Sequence, residues 1–216
     1  LSEAINQFKS QGVDLGNIDL TGGEGRKEME DAMELLHVMS KDNEMYDVKT
    51  DSSTSKYTPE EIEKGLLAVM ALCDPKKCEL YDRNRKMMNP GGLNSLHGLL
   101  AVGQKQEVLR LTMNFLNVLS KESVEVRDFF EPGGSKKVVS ILAAQIDLLA
   151  TGKCDIKALK VLKAAFSLAR TAAKSENNKA MLGRAMLCDV VVAFLTAAGA
   201  PAIIEASPED IDDEYK

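Results

Sequence analysis

The amino-acid sequence predicts an all-α fold built from stacked helical repeats, and three observations support this prediction. Apolar residues recur at intervals of three and four along nearly the whole chain, which is the spacing of one helix face. Strand-like alternation bounded by turn residues is nowhere convincing. A Pro-Gly-Gly triplet at residues 90–92 recurs 42 residues later at 132–134, and repetition at such a distance is typical of helical arrays.

The 216 residues are enough for one mid-sized domain or a short stack of repeats. Aromatic residues make up only 5% of the chain and tryptophan is absent, which disfavours a β-sandwich and a base-stacking nucleic-acid module. No apolar run approaches the ~18 residues of a membrane span, and the first residues lack the features of a signal peptide. Four cysteines are too few for a disulfide framework in a chain of this length. We therefore expect an intracellular protein, cytoplasmic or nuclear, without membrane contact.

The N-terminal elements are predicted from periodicity and from one capping motif. Residues 24–41 carry apolar side chains at helical spacing and are predicted to form a helix. The Ser/Thr-rich stretch at 51–56 is predicted to be a loop. Thr58-Pro59-Glu60-Glu61 is a capping box with proline at the first helical position, which predicts a helix from there to Asp74.

The two Pro-Gly-Gly triplets lie in the same predicted context. A charged and apolar turn precedes each triplet, at 85–89 and 127–131, and a short apolar helix follows it. A longer helix comes next, predicted over 107–121 in one copy and 155–174 in the other. The glycine pairs are predicted to form sharp inter-helix turns. A third, degenerate copy has Gly183 in place of the glycine pair.

A short, a medium and a long helix with a period near 42 residues resemble armadillo repeats, whereas tetratricopeptide and ankyrin arrays have periods of about 34 and 33 residues. Residues 8–18 read Phe-Lys-Ser-Gln-Gly-Val-Asp-Leu-Gly-Asn-Ile, and this run resembles the N-terminal segment of the armadillo repeat-containing protein six family. The resemblance implies a right-handed α-solenoid of armadillo-like repeats that binds protein and has no enzymatic activity. An irregular helical bundle is the alternative architecture.

Under the armadillo interpretation the chain divides into six segments. They are an acidic N-terminal segment with a capping helix (1–57), a partial first repeat (58–84), two armadillo-like repeats (85–126 and 127–177), a degenerate repeat (178–200) and an acidic tail or start of a further repeat (201–216). Importin-type armadillo proteins hold an extended peptide with an asparagine on each third helix. Alignment of the third helices places Val69, Val118 and Leu168 at that position, and none of these side chains forms hydrogen bonds. Clamping of an extended nuclear-localisation peptide is therefore not predicted.

The sequence offers no recognisable catalytic, cofactor or metal site. Only two histidines, His37 and His97, are available for acid–base work or metal binding, and neither lies in a recognisable motif. Cys73 and Cys78 lack zinc-ribbon spacing, and the cysteines are predicted to pack inside helices as reduced thiols. The glycine-rich run at 21–27 departs from a phosphate loop in spacing and context. We expect no enzymatic activity, no cofactor and no metal.

Charge is unevenly distributed along the chain. Residues 1–84 carry a net charge of -8, residues 85–200 carry +7, and residues 201–216 carry -5. By the resemblance, the third helices would line a concave surface, which makes that surface basic. The side chains predicted to bind a partner there are Arg110, Asn114, Asn117, Lys121, Lys160, Lys163, Ser167 and Arg170. The opposite, apolar side of the last long helix is predicted to consist of Ile156, Leu159, Leu162 and Phe166.

A basic groove predicts a protein partner with an acidic segment, because opposite charge speeds encounter and helps to set specificity. Nucleic-acid binding by the same face is the alternative, and the net charge of -6 and the scarcity of aromatics disfavour it. An ordinary solvated helix face is the third interpretation. In a regulatory variant of the first, the acidic run at 209–214 folds back onto the basic middle and competes with the partner.

Overall fold

The computed structural model describes residues 25–44, 57–88, 91–128 and 132–197, and over these residues it contains helices and no strand. The helices are, in chain order, α1 (Gly25–Glu44), α2 (Pro59–Leu72), α3 (Tyr81–Met87), α4 (Gly91–Gly98), α5 (Gln106–Glu122), α6 (Val124–Asp128), α7 (Pro132–Ala150), α8 (Ile156–Ala172), α9 (Glu176–Arg184) and α10 (Leu187–Thr196). The all-α prediction is confirmed.

The chain forms two compact units, one ending at Leu119 and the other beginning at Ser120, so that the boundary falls within α5. None of the described helices combines the length and the apolar character that a bilayer crossing needs. Three predicted features, the motif at 8–18, the loop at 51–56 and the acidic run at 209–214, lie outside the described residues.

The predicted helix start at Thr58 is confirmed. The backbone N–H of Glu61 donates to the Thr58 hydroxyl (3.2 Å), and the backbone N–H of Thr58 donates to the Glu61 carboxylate (2.9 Å). The Glu61 N–H is shared between this hydroxyl and the Thr58 carbonyl (3.0 Å), and Pro59 has no N–H that needs a partner. Helix α2 consequently begins at the residue that the capping box indicates.

In the first unit, α1 packs against α2 and α4. Its apolar positions, including Leu36 and Met39, are buried, as the periodicity predicts. Glycines allow the close approach of these helices. A Cβ at Gly98 would lie 2.8 Å from the Cβ of Ser40, and a Cβ at Gly65 would lie 3.0 Å from the Met39 sulfur. The packing of α1 therefore depends on the missing side chains of two glycines.

Each unit contains a buried asparagine that ties the end of one helix to a later helix. Asn84 in α3 donates from Nδ2 to the carbonyl of Leu72 (2.7 Å), the last residue of α2. Asn178 in α9 donates from Nδ2 to the carbonyl of Arg127 in α6 (2.7 Å). Both asparagines are fully buried. Carbonyls at a helix end lack an intrahelical donor, and the two amides supply one.

In the second unit, α7 packs against α8, α9 and α10, and α6 and α9 also contact α8. The shared core includes Val138, Ile141 and Leu142 from α7, and Val161 and Leu168 from α8. Three helices of this unit, α6, α7 and α9, therefore contact α8.

Two predictions about the Pro-Gly-Gly triplets are wrong. The glycines lie in the first turns of α4 and α7 rather than in turns between helices, and the space around Gly91 and Gly133 is open. The second triplet was also predicted to precede a short helix, yet α7 has 19 residues against eight in α4. The physical reason is that α4 stops at Gly98, whereas no glycine or proline interrupts the chain from residue 135 to residue 151.

The predicted turn at Gly183 is also wrong, because Gly183 lies inside α9. The chain turns instead at Met186, whose φ of 69° is left-handed. Its N–H donates to the carbonyl of Gly183 (3.0 Å) in the manner of a helix C-terminal turn. A side chain in this conformation costs about 1 kcal/mol. Glycine is the usual residue at such a position, so the sequence carried no signal for the turn.

Candidate interaction surface

Helix α8 carries most of the basic residues that the sequence singled out, and Asp155 fixes its start. The Asp155 carboxylate accepts a hydrogen bond from the backbone N–H of Ala158 (2.8 Å). Lys153 and Lys157 are exposed near this end. Residues 153–174 include six basic side chains and a single acidic one, Asp155, so this segment has a net charge of +5.

The predicted apolar side of α8 is wrong at Ile156 and is only partly buried at Leu159 and Phe166. Ile156 is 55% exposed, and Leu159 and Phe166 are half-buried, whereas Leu162 is buried as predicted. The buried side chains of this helix are Ala158, Val161, Leu162, Ala164, Ala165, Leu168, Ala169, Thr171 and Ala172. Five of these nine residues are alanines. The buried side is therefore centred on alanines and not on the largest apolar residues.

Four predicted residues form one row on α8, which we call the basic face: Lys160, Lys163, Ser167 and Arg170. Their spacing of three, four and three places them on one side of the helix. The two lysines and Ser167 are half-buried, and Arg170 is exposed. Lysine stems can lie on the protein surface while their ammonium groups reach water. Both lysines also interact with other groups of the chain, so Arg170 is the most accessible cation of the row.

Helix α5 presents its predicted residues differently. The Nε of Arg110 donates to one Glu107 carboxylate oxygen (2.9 Å), and its Nη2 pairs with the other oxygen. This two-point pair compensates the Arg110 charge within the helix. Asn114 is half-buried, Asn117 is only 7% exposed, and Lys121 is exposed. Lys121 is thus the one predicted α5 residue with a fully exposed side chain.

The predicted residues divide between the two units. Arg110, Asn114 and Asn117 belong to the unit that ends at Leu119, whereas Lys121 and the basic face belong to the unit that begins at Ser120. Both sets share one side of their helix, because the α5 residues are spaced four, three and four. The α8 row differs in that it lies within one unit and none of its members is buried.

The three positions that correspond to the importin-type asparagines do not share an environment. Val69 and Leu168 are fully buried, whereas Val118 is 46% exposed. Equivalent positions of stacked repeats make equivalent neighbour contacts. The burial of these residues therefore does not support the predicted equivalence of the three positions.

A cleft of about 340 Å³ opens at the C-terminal end of α8. Its lining residues are Val124, Arg127, Asp128, Lys174, Ser175, Glu176 and Asn177. The Arg127 Nε is shielded from solvent and has no hydrogen-bond acceptor among the described residues. An unpaired buried donor costs about 1–3 kcal/mol. The sequence analysis missed Arg127 because it treated residues 127–131 only as a turn.

The histidines do not form a reactive constellation. His97 is buried, and it also interacts with other groups of the chain. The Nδ1 of His37 lies 3.4 Å from the Ser95 hydroxyl oxygen. No group of three or more His, Cys, Asp or Glu side chains could hold a metal ion within the part of the chain that the structure describes.

All four cysteines are free thiols, and their burial differs between the two units. Cys73 and Cys78 are buried in the first unit, but they follow the end of α2 and do not lie inside a helix as predicted. Burial raises the pKa of the Cys73 thiol to about 12, which keeps it protonated at neutral pH. In the second unit Cys154 is half-buried and Cys188 is exposed, so the prediction of packed thiols is wrong for both.

Comparisons of the chain with protein-family models, with curated proteins and with solved structures find no match. The armadillo resemblance therefore stays a prediction. The functional argument rests on the geometry and charge of the basic face.

Proposed function

We propose that this protein is a non-enzymatic interaction module, an armadillo-like α-solenoid that binds an acidic segment of a partner protein on the basic face of α8. The observation that supports this proposal most is the row of Lys160, Lys163, Ser167 and Arg170 on a helix whose other side is fixed in a core. Because the helix is held before binding, little conformational freedom of the backbone is lost when a partner docks.

An acidic peptide fits this row in length and in hydrogen-bonding chemistry. Along the helix axis, Lys163 lies about 4.5 Å from Lys160 and about 10.5 Å from Arg170. Alternate side chains of an extended peptide are about 6.5–7 Å apart, and the long lysine and arginine side chains can bridge the difference between the two spacings. The guanidinium of Arg170 can hold a carboxylate at two points, and the Ser167 hydroxyl can donate to a neighbouring acceptor.

The proposed site is narrower than the sequence predicted. Arg110 is paired with Glu107, and Asn117 is buried, so these residues offer little to a partner in the described conformation. Lys121 is exposed and belongs to the same unit as α8. We therefore assign binding to the α8 row, with Lys174 and Arg127 of the nearby cleft as additional cations.

Nucleic acid is the second candidate ligand, because phosphates would also be attracted to a row of lysines and arginine. The net charge of -6 and the aromatic content of 5% weigh against it, since an acidic protein repels the nucleic-acid backbone and offers few stacking surfaces. The two candidate ligands differ in how their affinity depends on salt. Affinity for nucleic acid falls steeply as salt rises when several phosphates are neutralised.

The proposal is tested with the full chain and two charge-reversal variants. K163E/R170E changes the basic face, and K76E/K77E changes two exposed lysines of the first unit by the same total charge. The probes are a fluorescein-labelled deca-glutamate peptide and a labelled 20-nucleotide RNA of random sequence. We expect the native chain and the K76E/K77E control to bind the peptide at low salt, and K163E/R170E to bind it at least tenfold more weakly.

Equal loss of peptide binding in both variants would contradict the assignment to α8, because it would show an effect of total charge only. Preferential binding of the RNA, with affinity falling steeply as salt rises, would replace the protein partner by nucleic acid. Circular dichroism of each variant shows whether its helical content is unchanged.

A further inference from the structure

We propose that the acidic run, extended here to residues 205–214 so that it includes Glu205 as well as 209–214, occupies the basic face and thereby regulates access of a partner to it. This inference rests on the proposed function, because it concerns the same row of α8. The run contains six acidic side chains and no basic one, while residues 153–174 have a net charge of +5. The charges of the two segments are complementary in sign and similar in size.

Packing within the second unit brings the end of α10 close to the middle of the row. The rings of Phe194 in α10 and Phe166 in α8 are in contact, with centroids 5.3 Å apart and planes inclined at 59°. Phe166 follows Lys163 by three residues and precedes Arg170 by four. Each cation therefore lies within about 4.5–6 Å of Phe166 along the helix axis.

The acidic run follows this contact closely in the sequence. Ala197, the last described residue, follows Phe194 by only three positions. Residue 205 lies eight positions after Ala197 in the sequence. Eight residues of fully extended chain span at most about 29 Å. A short connection of this kind gives the attached segment an effective concentration in the millimolar range at a nearby site.

High effective concentration compensates for weak individual contacts. A single exposed ion pair contributes little, because water and salt screen it and long side chains must be ordered. Six carboxylates held beside the row can exchange partners while some contact is kept, so occupancy does not require one fixed geometry. An external acidic partner must then displace the run, which lowers its apparent affinity.

Zero-length carbodiimide cross-linking of the full chain tests the contact directly. The reagent joins a carboxylate to an amine in contact with it, and mass spectrometry identifies the joined residues. We expect links from carboxylates of 205–214 to Lys163 or Lys174, lost in 0.5 M NaCl, and none from those carboxylates to Lys76 or Lys77. A mixture of ¹⁵N-labelled and unlabelled chains separates links within one chain from links between chains. Absence of intramolecular links to α8 and Lys174 would overturn the proposal.

Competition for the deca-glutamate probe tests the regulatory part. The variant D210N/D212N/D213N removes three negative charges from the run. The control E79Q/D147N/D189N removes three negative charges from exposed side chains elsewhere. Both raise the net charge by three. We expect the first variant to bind the probe about 3–10-fold more tightly than the control at low salt, because its acidic run competes less well with the probe for the row. The difference should vanish at high salt.

The outcomes separate this inference from the proposed function. Equal affinities of the two variants overturn the regulation and leave the binding surface intact. If neither variant binds the probe while the cross-links to α8 are present, the run occupies the row and the proposed partner binding is wrong.

Discussion

Helices α5 and α8 were placed in equivalent positions by the sequence, yet the structure gives them different electrostatic roles. On α5, Arg110 is held by Glu107, and Asn117 is buried. On α8, Lys163 and Arg170 share one row, and the only acidic residue from 153 to 174 lies at the helix start. Four predicted site residues on each helix therefore yield a compensated helix in one case and a charged surface in the other.

The difference continues through the two units. The unit that ends at Leu119 has a net charge of -5, whereas the second unit has -1, because residues 120–197 carry +4 and residues 198–216 carry -5. An acidic partner would be repelled by the first unit and attracted by residues 120–197. The comparison teaches that the charge of a repeat surface depends on single local pairs, such as an acid three residues before an arginine, and not on the repeat pattern itself.

The largest expected difference between the units is in thiol reactivity. Cys188 is exposed in the second unit, whereas Cys73 and Cys78 are buried in the first. We expect Cys188 to react with iodoacetamide at pH 8 about a thousandfold faster than the buried pair, which becomes accessible only through local unfolding. Mass spectrometry of the alkylated peptides measures the three rates. Similar rates would show that the first unit is open in solution.

The same unit should also lose stability at high pH. The Cys73 pKa of about 12 lies above the ordinary value of 9.0, so above about pH 9 the unfolded thiol ionises before the folded one. The contribution of this thiol is complete below pH 9 and is lost between pH 9 and pH 12.

The next difference concerns the two buried asparagines. Asn84→Ala should lower the free energy of unfolding by about 2–3 kcal/mol, because it leaves the Leu72 carbonyl without its donor. Asn178→Ala should cost about 1 kcal/mol, because it also removes an Oδ1 atom that is buried without a partner among the described residues. Urea unfolding of each variant measures both values. Equal losses of unfolding free energy would contradict the account, in which the Oδ1 of Asn84 has a hydrogen-bond donor and that of Asn178 has none among the described residues.

Glycine substitutions should give effects of opposite sign in the two units. Gly98→Ala brings a Cβ within 2.8 Å of Ser40 and should destabilise the first unit by about 1–2 kcal/mol. Gly133→Ala enters open space in the first turn of α7 and should stabilise the second unit by about 0.5 kcal/mol. Thermal unfolding of the two variants checks the signs, and destabilisation by Gly133→Ala would contradict the open environment.

Effects of comparable small size are expected at two residues of the second unit that share a φ of 69°, Gly152 and Met186. Met186→Gly should raise the free energy of unfolding by about 0.5–1 kcal/mol, because it relieves a left-handed conformation that a side chain disfavours. Gly152→Ala should lower it by a similar amount, although no atom would contact the new methyl group. If both variants changed the free energy of unfolding in the same direction, the left-handed φ would not be the cause of both effects.

Local signals in the sequence were sufficient for the fold class and for several helix starts. The capping box at Thr58 and the cap at Asp155 involve neighbours three residues apart, so the sequence alone contains both partners. The buried face of α1 was predicted for the same reason, since its apolar residues recur at the helical period.

Features that depend on distant partners were missed. The sequence cannot show that alanines of α8 are buried and that Ile156 is exposed, because burial is decided by the neighbouring helices. The carbonyl partners of the two asparagines lie 12 and 51 residues away. The pair of Arg110 with Glu107 is local, and its spacing of three residues was a signal that the sequence analysis did not use.

The central claim is that the α8 row, and not α5, binds an acidic partner, and a pair of matched variants tests it most directly. R170Q and R110Q each remove one positive charge, one from the exposed row and one from a pair with Glu107. Titration of the deca-glutamate peptide at low salt compares their affinities with that of the native chain. The account predicts a loss of about 3–10-fold for R170Q and less than about twofold for R110Q. A larger loss for R110Q than for R170Q would contradict it.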